Sequence, residues 1–324
     1  MRSIPLLRRL LPMALLGVAG IAAAAGKGAS ADSKHPPPEP RAIIVSWDGA
    51  KPSVLRDLLA DGRLPVLKAL LREGCWTWSA QTILPSSTLP SHVSMLTGVS
   101  PEIHGVTWNS NLPEKGPLKV ETVFSIAKAS GLKTAMVVGK AKLRLLDEPG
   151  TLDADLLVEG DAGAVSRVAR TVIEKSDPDL LFVHFAQPDA AGHEKGWGDT
   201  RDAIAPSAEY LSALRACDAA LGTLVKRLKA GKRWDRTLLI LTADHGGHAK
   251  NQGSADLQDT TIPWIATGPL VVARGALKTA VCTEDTAATA LTALGVAVPD
   301  SWTGRPVSGV LGTRTTGISL KPAA

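Results

Sequence analysis

After residue 40 the chain alternates short apolar runs with longer amphipathic stretches. Arg41 to Ser46 is a β-branched run that reads as a buried strand, and Asp48-Gly49 sits where it must stop. A helical pattern follows from Pro52 to Glu73, broken near Gly62. The alternation then repeats: helix from Val120 to Ser130, strand from Lys133 to Val138, helix from Ala162 to Lys175, strand from Leu180 to Phe185. A long helix from Pro206 to Leu228 leads to strands at Thr237 to Thr242 and Ile262 to Ala266. Continuous apolar strands separated by helices predict an α/β fold, a mostly parallel central sheet covered by helices on both faces. With no internal repeat and no second linker, one domain over 41–324 is the expectation.

The start of the chain has a different texture. Arg2, Arg8 and Arg9 precede an apolar run from Leu10 to Ala25, and Ala29-Ser30-Ala31 fits a signal-peptidase site, as does Ala23-Ala24-Ala25. Residues 1–31 are therefore expected to be a signal peptide, and the apolar run is shorter than the ~20 residues a spanning helix needs. The Pro-rich 32–40 reads as an extended tether. Export to the periplasm or medium follows, with no membrane span in the mature protein. Charge changes the picture little. Of the net +5, four charges come from Arg2, Arg8, Arg9 and Lys27 inside that segment, so no nucleic-acid-binding surface is implied. Cys75, Cys217 and Cys282 have neither the count of a disulfide framework nor the spacing of a zinc knuckle. One disulfide with a free thiol and three thiols both stay open.

In an open α/β sheet, ligands bind outside the carboxyl ends of the strands. Three strands here deliver metal-capable side chains to that edge. AIIVSWDG gives Asp48, LLFVHFAQPDAAGH gives Asp189 and His193, and LLILTADHGGH gives Asp244, His245 and His248. Asp189 and His193 share a helix face if Pro188 opens a turn. His184, inside its strand, reads as a satisfied core histidine. A carboxylate and imidazole set without thiolate suits Zn²⁺, with Mn²⁺ or iron as alternatives. In LPSSTLPSHVSMLTG, Thr88 stands at the cap position of a helix with Pro90 in its first turn. Its hydroxyl is either a simple N-cap or, beside a dication, a nucleophile.

The segments DGA, PSSTLPSH, PDAAGHEKG and ADHGGH occur in the order seen in the nucleotide pyrophosphatase/phosphodiesterase branch of the alkaline phosphatase superfamily, which this chain resembles from about Arg41 to Pro306. The resemblance implies an alkaline-phosphatase-like domain with two zinc ions. One would be held by Asp48, Asp244, His245 and the Thr88 oxygen. The other would take Asp189, His193 and a further histidine after the DHG motif. This sequence has Asn251-Gln252-Gly253 there, so Gln252 occupies the expected histidine position and His248 is the nearest imidazole to replace it. Asn109 resembles the asparagine that binds a phosphoryl oxygen.

That resemblance implies a phosphoric ester hydrolase, by family a phosphodiesterase, working through a phospho-threonine on a small-molecule phosphate ester. A phosphomonoesterase, or a non-catalytic binding protein with a degenerate second metal site, are the alternatives. A sulfatase is disfavoured because no Cys or Ser lies in a Cys/Ser-x-Pro-x-Arg context, and a serine hydrolase because GxSxG is absent. The nucleotide-cleaving relatives tend to carry an aromatic residue after the threonine, where this chain has Leu89. Trp47, Trp108 and Trp197 read as packing residues.

Overall fold

The computed structural model describes residues 39–312. The expected signal peptide, most of the tether and the last residues of the chain lie outside this range. Along the described residues run β1 (Arg41–Trp47), α1 (Pro52–Ala60), α2 (Pro65–Glu73), β2 (Cys75–Gln81), α3 (Thr88–Thr97) and α4 (Pro101–His104). Next come α5 (Val123–Ala129), β3 (Thr134–Val138), β4 (Ala154–Leu157), α6 (Ala162–Lys175), β5 (Leu180–Phe185) and α7 (Gln187–Lys195). The chain continues through α8 (Ala208–Lys229), β6 (Thr237–Thr242), α9 (Leu257–Thr260), β7 (Thr261–Thr267), β8 (Gly275–Ala276) and α10 (Asp285–Ala293).

The strands form one eight-stranded sheet in the order β4-β3-β5-β1-β6-β7-β2-β8. The run from β4 to β6 is parallel throughout, and β7 is antiparallel to both its neighbours. Every residue of β1 is buried, because the sheet is covered on both sides. Ile43, Val45 and Trp47 face a layer that includes Leu55, Leu67, Ala169 and Leu221 from α1, α2, α6 and α8. Ala42 and Ile44 face Leu96, Phe124 and Leu291 from α3, α5 and α10. The predicted α/β architecture is the observed one.

Individual elements sharpen the reading. The 52–73 pattern is two helices separated at Gly62, and the helices and strands from Thr134 onward fall within a few residues of expectation. β2, β4 and β8 lie outside the predicted set. Residues Cys75–Gln81 show why: Thr77, Ser79 and Gln81 interrupt the run, and only Cys75, Thr77 and Ala80 are buried, so it lacks a continuous apolar stretch. All three cysteines are free thiols, Cys75 and Cys217 buried and Cys282 exposed. No helix among the described residues is long and apolar enough to cross a membrane.

Candidate metal centre and nucleophile

Four adjacent parallel strands, β3, β5, β1 and β6, release their chains at the same edge, and each brings ionisable groups with it. Asp48 follows β1 directly and is fully buried. Pro188 opens α7, which sets Asp189 and His193 one turn apart, with His193 Nε2 3.4 Å from Asp189 Oδ1. Beyond β6 come Asp244 and His245, both buried. Donor atoms of Asp48, Asp189 and His245 all lie within 4.8 Å of one another. Asp244 adjoins this group through Oδ2, 3.3 Å from His245 Nε2, while its Oδ1 accepts the Gly49 N–H at 3.0 Å.

The tautomers decide what the group can hold. His245 Nδ1 donates to the Gly246 carbonyl at 2.7 Å, and His193 Nδ1 donates to the Lys250 carbonyl at 3.1 Å. In a neutral imidazole the other nitrogen is then an acceptor. His245 Nε2 therefore turns a lone pair toward Asp48 Oδ1 at 3.4 Å and Asp189 Oδ1 at 3.7 Å. Acceptors facing acceptors at such distances require a proton or a metal ion between them. In the protein by itself the proton is favoured: burial disfavours the charged imidazole, but Asp244 and Asp48 outweigh it and raise His245 to about 9. Asp244 is pushed up to about 7 by burial and by the Asp48 charge. Asp48 Oδ1, Asp189 Oδ1, Asp244 Oδ2 and His245 Nε2 are buried without a hydrogen-bond partner. These oxygen and nitrogen donors fit the divalent metal that the family pattern calls for.

Lys140, just past β3, is the residue that sequence reasoning missed. Its ammonium lies 2.7 Å from Asp48 Oδ2, 2.5 Å from Asp189 Oδ2 and 3.1 Å from Thr88 Oγ1. It uses the Oδ2 atoms and leaves both Oδ1 atoms to the imidazole side. Burial works against the Lys140 charge, yet the three carboxylates raise its pKa above the usual lysine range. Burial also raises the Asp48 carboxyl, but Lys140, His184 and His245 together hold it well below the ordinary range. His184 is satisfied, as expected of a core histidine, but its partner is functional: Nδ1 accepts the Gly139 N–H at 3.2 Å and Nε2 donates to Asp48 Oδ2 at 2.8 Å.

Thr88 is not the N-cap. That position belongs to Ser87, and Thr88 is the first residue of α3, fully buried, with Oγ1 held by Lys140. The capping alternative for its hydroxyl is removed. Asn109 Oδ1 accepts from Leu89 N–H at 2.9 Å and from Lys142 Nζ at 3.1 Å, which leaves the amide NH₂ to donate elsewhere. Beside them a cavity of about 270 Å³ is lined by Leu89, Trp108, Leu118, Lys142, Arg144 and Leu145 among others. His248 lies outside the three-residue group: Nδ1 is bonded to Asp259 Oδ1 at 2.7 Å. Trp47 and Trp197 are buried, as expected of packing residues, whereas Trp108 is part-exposed on the cavity wall.

Fold and site together define a member of the alkaline phosphatase superfamily. The profile of the type I phosphodiesterase / nucleotide pyrophosphatase family matches residues 42–263, and the chain belongs to that family. Human bis(5'-adenosyl)-triphosphatase ENPP4 is 24% identical over 225 residues, covering 64% of this chain and 47% of that protein. Human ectonucleotide pyrophosphatase/phosphodiesterase family member 1 is 26% identical over 228 residues, 64% of this chain and 23% of that one. The chain thus spans less than half the length of these relatives. Among solved structures, an inactive variant of murine ectonucleotide pyrophosphatase/phosphodiesterase 5 in complex with AMP superimposes with a TM-score of 0.64. It is 15% identical, with 87% of this chain and all of that one covered. A 2-O GAG sulfatase gives 0.62 at 16% identity over 82% of this chain and 73% of that one, a likeness of fold alone.

Proposed function

We infer that the protein is an exported, metal-dependent phosphoric ester hydrolase, a phosphodiesterase that works through a phospho-threonine. One observation carries this: a buried, uncapped threonine hydroxyl meets an ammonium that also grips two carboxylates of a cation-hungry cluster. Asp48, Thr88, Asp244 and His245 would hold one zinc ion, and Asp189 and His193 would contribute to the second. Such cations stabilise charge on the attacking and leaving oxygens of an in-line displacement.

The protein's own groups account for the rest. Thr88 Oγ1 attacks phosphorus as its proton leaves, the P–O bond to the leaving alcohol breaks, and that alcohol departs with a proton. Water then attacks phosphorus, the Thr88 Oγ1–P bond breaks, and the hydroxyl is restored. The Lys140 ammonium, donating to Oγ1, favours the deprotonated threonine. Asn109, its Oδ1 held by the Leu89 N–H and Lys142, would donate through its NH₂ to a phosphoryl oxygen. The neighbouring cavity, apolar at Leu89, Leu118 and Leu145 and basic at Lys142 and Arg144, suits the organic part of a small anionic ester. The charged-then-apolar start of the chain supports export.

The test compares bis(p-nitrophenyl) phosphate with p-nitrophenyl phosphate. The diester should turn over faster, chelated protein should be inactive, and Thr88→Ala should lose at least about a thousandfold in kcat while Asp48, Asp244 and His245 still hold the first ion. Thr88→Ala retaining wild-type turnover would reject the covalent route.

A further inference from the structure

The loop after β6 departs from the family pattern at Gln252, and the surrounding hydrogen bonds give that departure a place. The Lys250 carbonyl accepts from His193 Nδ1 at 3.1 Å, and the Ser254 carbonyl accepts from Ser86 Oγ at 2.8 Å. Gln252 lies midway between them in the chain, on a segment tied at one end to the His193 imidazole and at the other to the loop leading to Thr88. Asp259, fully buried, locks this segment. Its Oδ1 holds His248 Nδ1 at 2.7 Å, and its Oδ2 accepts from Ser254 N–H at 3.1 Å and Ser254 Oγ at 2.7 Å.

Gln252 Oε1 is buried without a hydrogen-bond partner. That puts it in the same condition as Asp48 Oδ1, Asp189 Oδ1, Asp244 Oδ2 and His245 Nε2. A buried acceptor left unsatisfied is costly, and a carboxamide oxygen is a competent ligand for a hard or borderline cation. The His193 imidazole, held through Nδ1 by the Lys250 carbonyl, turns Nε2 toward Asp189 Oδ1 at 3.4 Å and adds one further acceptor. We propose that Gln252 Oε1 is the third protein ligand of the second metal ion, beside Asp189 and His193. His248 then serves as the clasp that fixes the loop.

This rests on the two-ion reading above and makes that reading specific to the chain. A carboxamide in place of an imidazole leaves the second site with two oxygens and one nitrogen. It thereby loses part of the preference for Zn²⁺ over Mn²⁺ that a second imidazole confers.

Calorimetric titration of the chelator-stripped full chain with Zn²⁺ and with Mn²⁺ reads this without an activity assay. Wild type should bind two ions. Gln252→Ala should weaken the second at least about tenfold and leave the first unchanged, while His248→Ala should weaken it less. Gln252→His should tighten Zn²⁺ more than Mn²⁺, a gain that misfolding cannot produce. Wild-type binding of both ions by Gln252→Ala, or a larger loss in His248→Ala, overturns the assignment and leaves the two-ion reading standing. Fewer than two ions on the wild type overturns both.

Discussion

The two ends of the central strands both bury charge, and they do it differently. At the amino end, two arginines meet two aspartates: the buried Arg41, first in β1, pairs with Asp177, which is exposed, and Arg233 pairs with the largely buried Asp179 at 2.5 Å. Asp179 also accepts the Lys133 N–H at 2.7 Å, which ties β3 to β5. At the carboxyl end, Asp48, Asp189 and Asp244 gather around one ammonium, with donor atoms left unpartnered. One end is a neutral clamp and the other an anionic surplus. Balanced burial serves the fold, whereas surplus burial costs stability and marks a place where a cation belongs.

Substitutions at the two ends should separate these roles. After Thr88→Ala, the largest effect is expected from Lys140→Met. Turnover should fall about a hundredfold, since the donor to Thr88 Oγ1 is lost, yet metal stoichiometry should persist because the carboxylates lose only a competitor. Steady-state kinetics alongside metal analysis distinguishes this from collapse of the site.

The next effect is one of pH. His245 holds a proton up to about 9, and a metal must expel it, so apparent affinity should strengthen about tenfold per unit as pH rises toward that value. The sign reverses for the metal-free protein. Asp244 at about 7 and His245 at about 9 both hold protons that the unfolded chain releases earlier. Together they should make stability fall as pH climbs from about 6.5 to about 9, whereas below about 6.5 the buried His92, His104 and His184, whose pKa values burial lowers, charge first in the unfolded chain and oppose the Asp244 trend. Melting curves with and without Zn²⁺ should diverge across that range. Parallel curves would mean that no proton is exchanged for the ion.

The smallest effect on chemistry should come from the clamp. Asp179→Ala should cost about 2 kcal/mol of stability, since the Lys133 N–H loses its acceptor and Arg233 loses one carboxylate while keeping Asp177 and three backbone carbonyls, with kcat unchanged below the melting transition. A loss of turnover there would erase the distinction between the two ends.

Much of the carboxyl-end site can be read in the sequence, because strand ends and ligand residues are adjacent in the chain. Asp48, Asp244 and His245 follow apolar runs within a few residues, and the four-residue step from Asp189 to His193 needs only a helical turn. Lys140 has no such signal. In Gly139-Lys140-Ala141-Lys142 it looks like any solvated lysine, and only the pairing of β3 with β5 carries it to Asp48. The clasp of His248 on Asp259 is hidden for a similar reason: 11 residues separate them, and the turn that joins them obeys no helical or strand period. Thr88 was legible as a helix start, but which of Ser87 and Thr88 lies outside the helix depends on a single backbone dihedral pair.

Trp197 ties several of these pieces together. Its indole N–H donates to the Gly49 carbonyl at 2.9 Å, and its ring meets His193 edge-on at 4.8 Å between centroids. A methyl group at Gly192 would come within 2.1 Å of that ring, and one at Gly247 within 2.5 Å. The glycines of three separate motifs thus lean on one flat surface. Evolution cannot retune the spacing of the ligands one loop at a time, since any change in that indole shifts all three together.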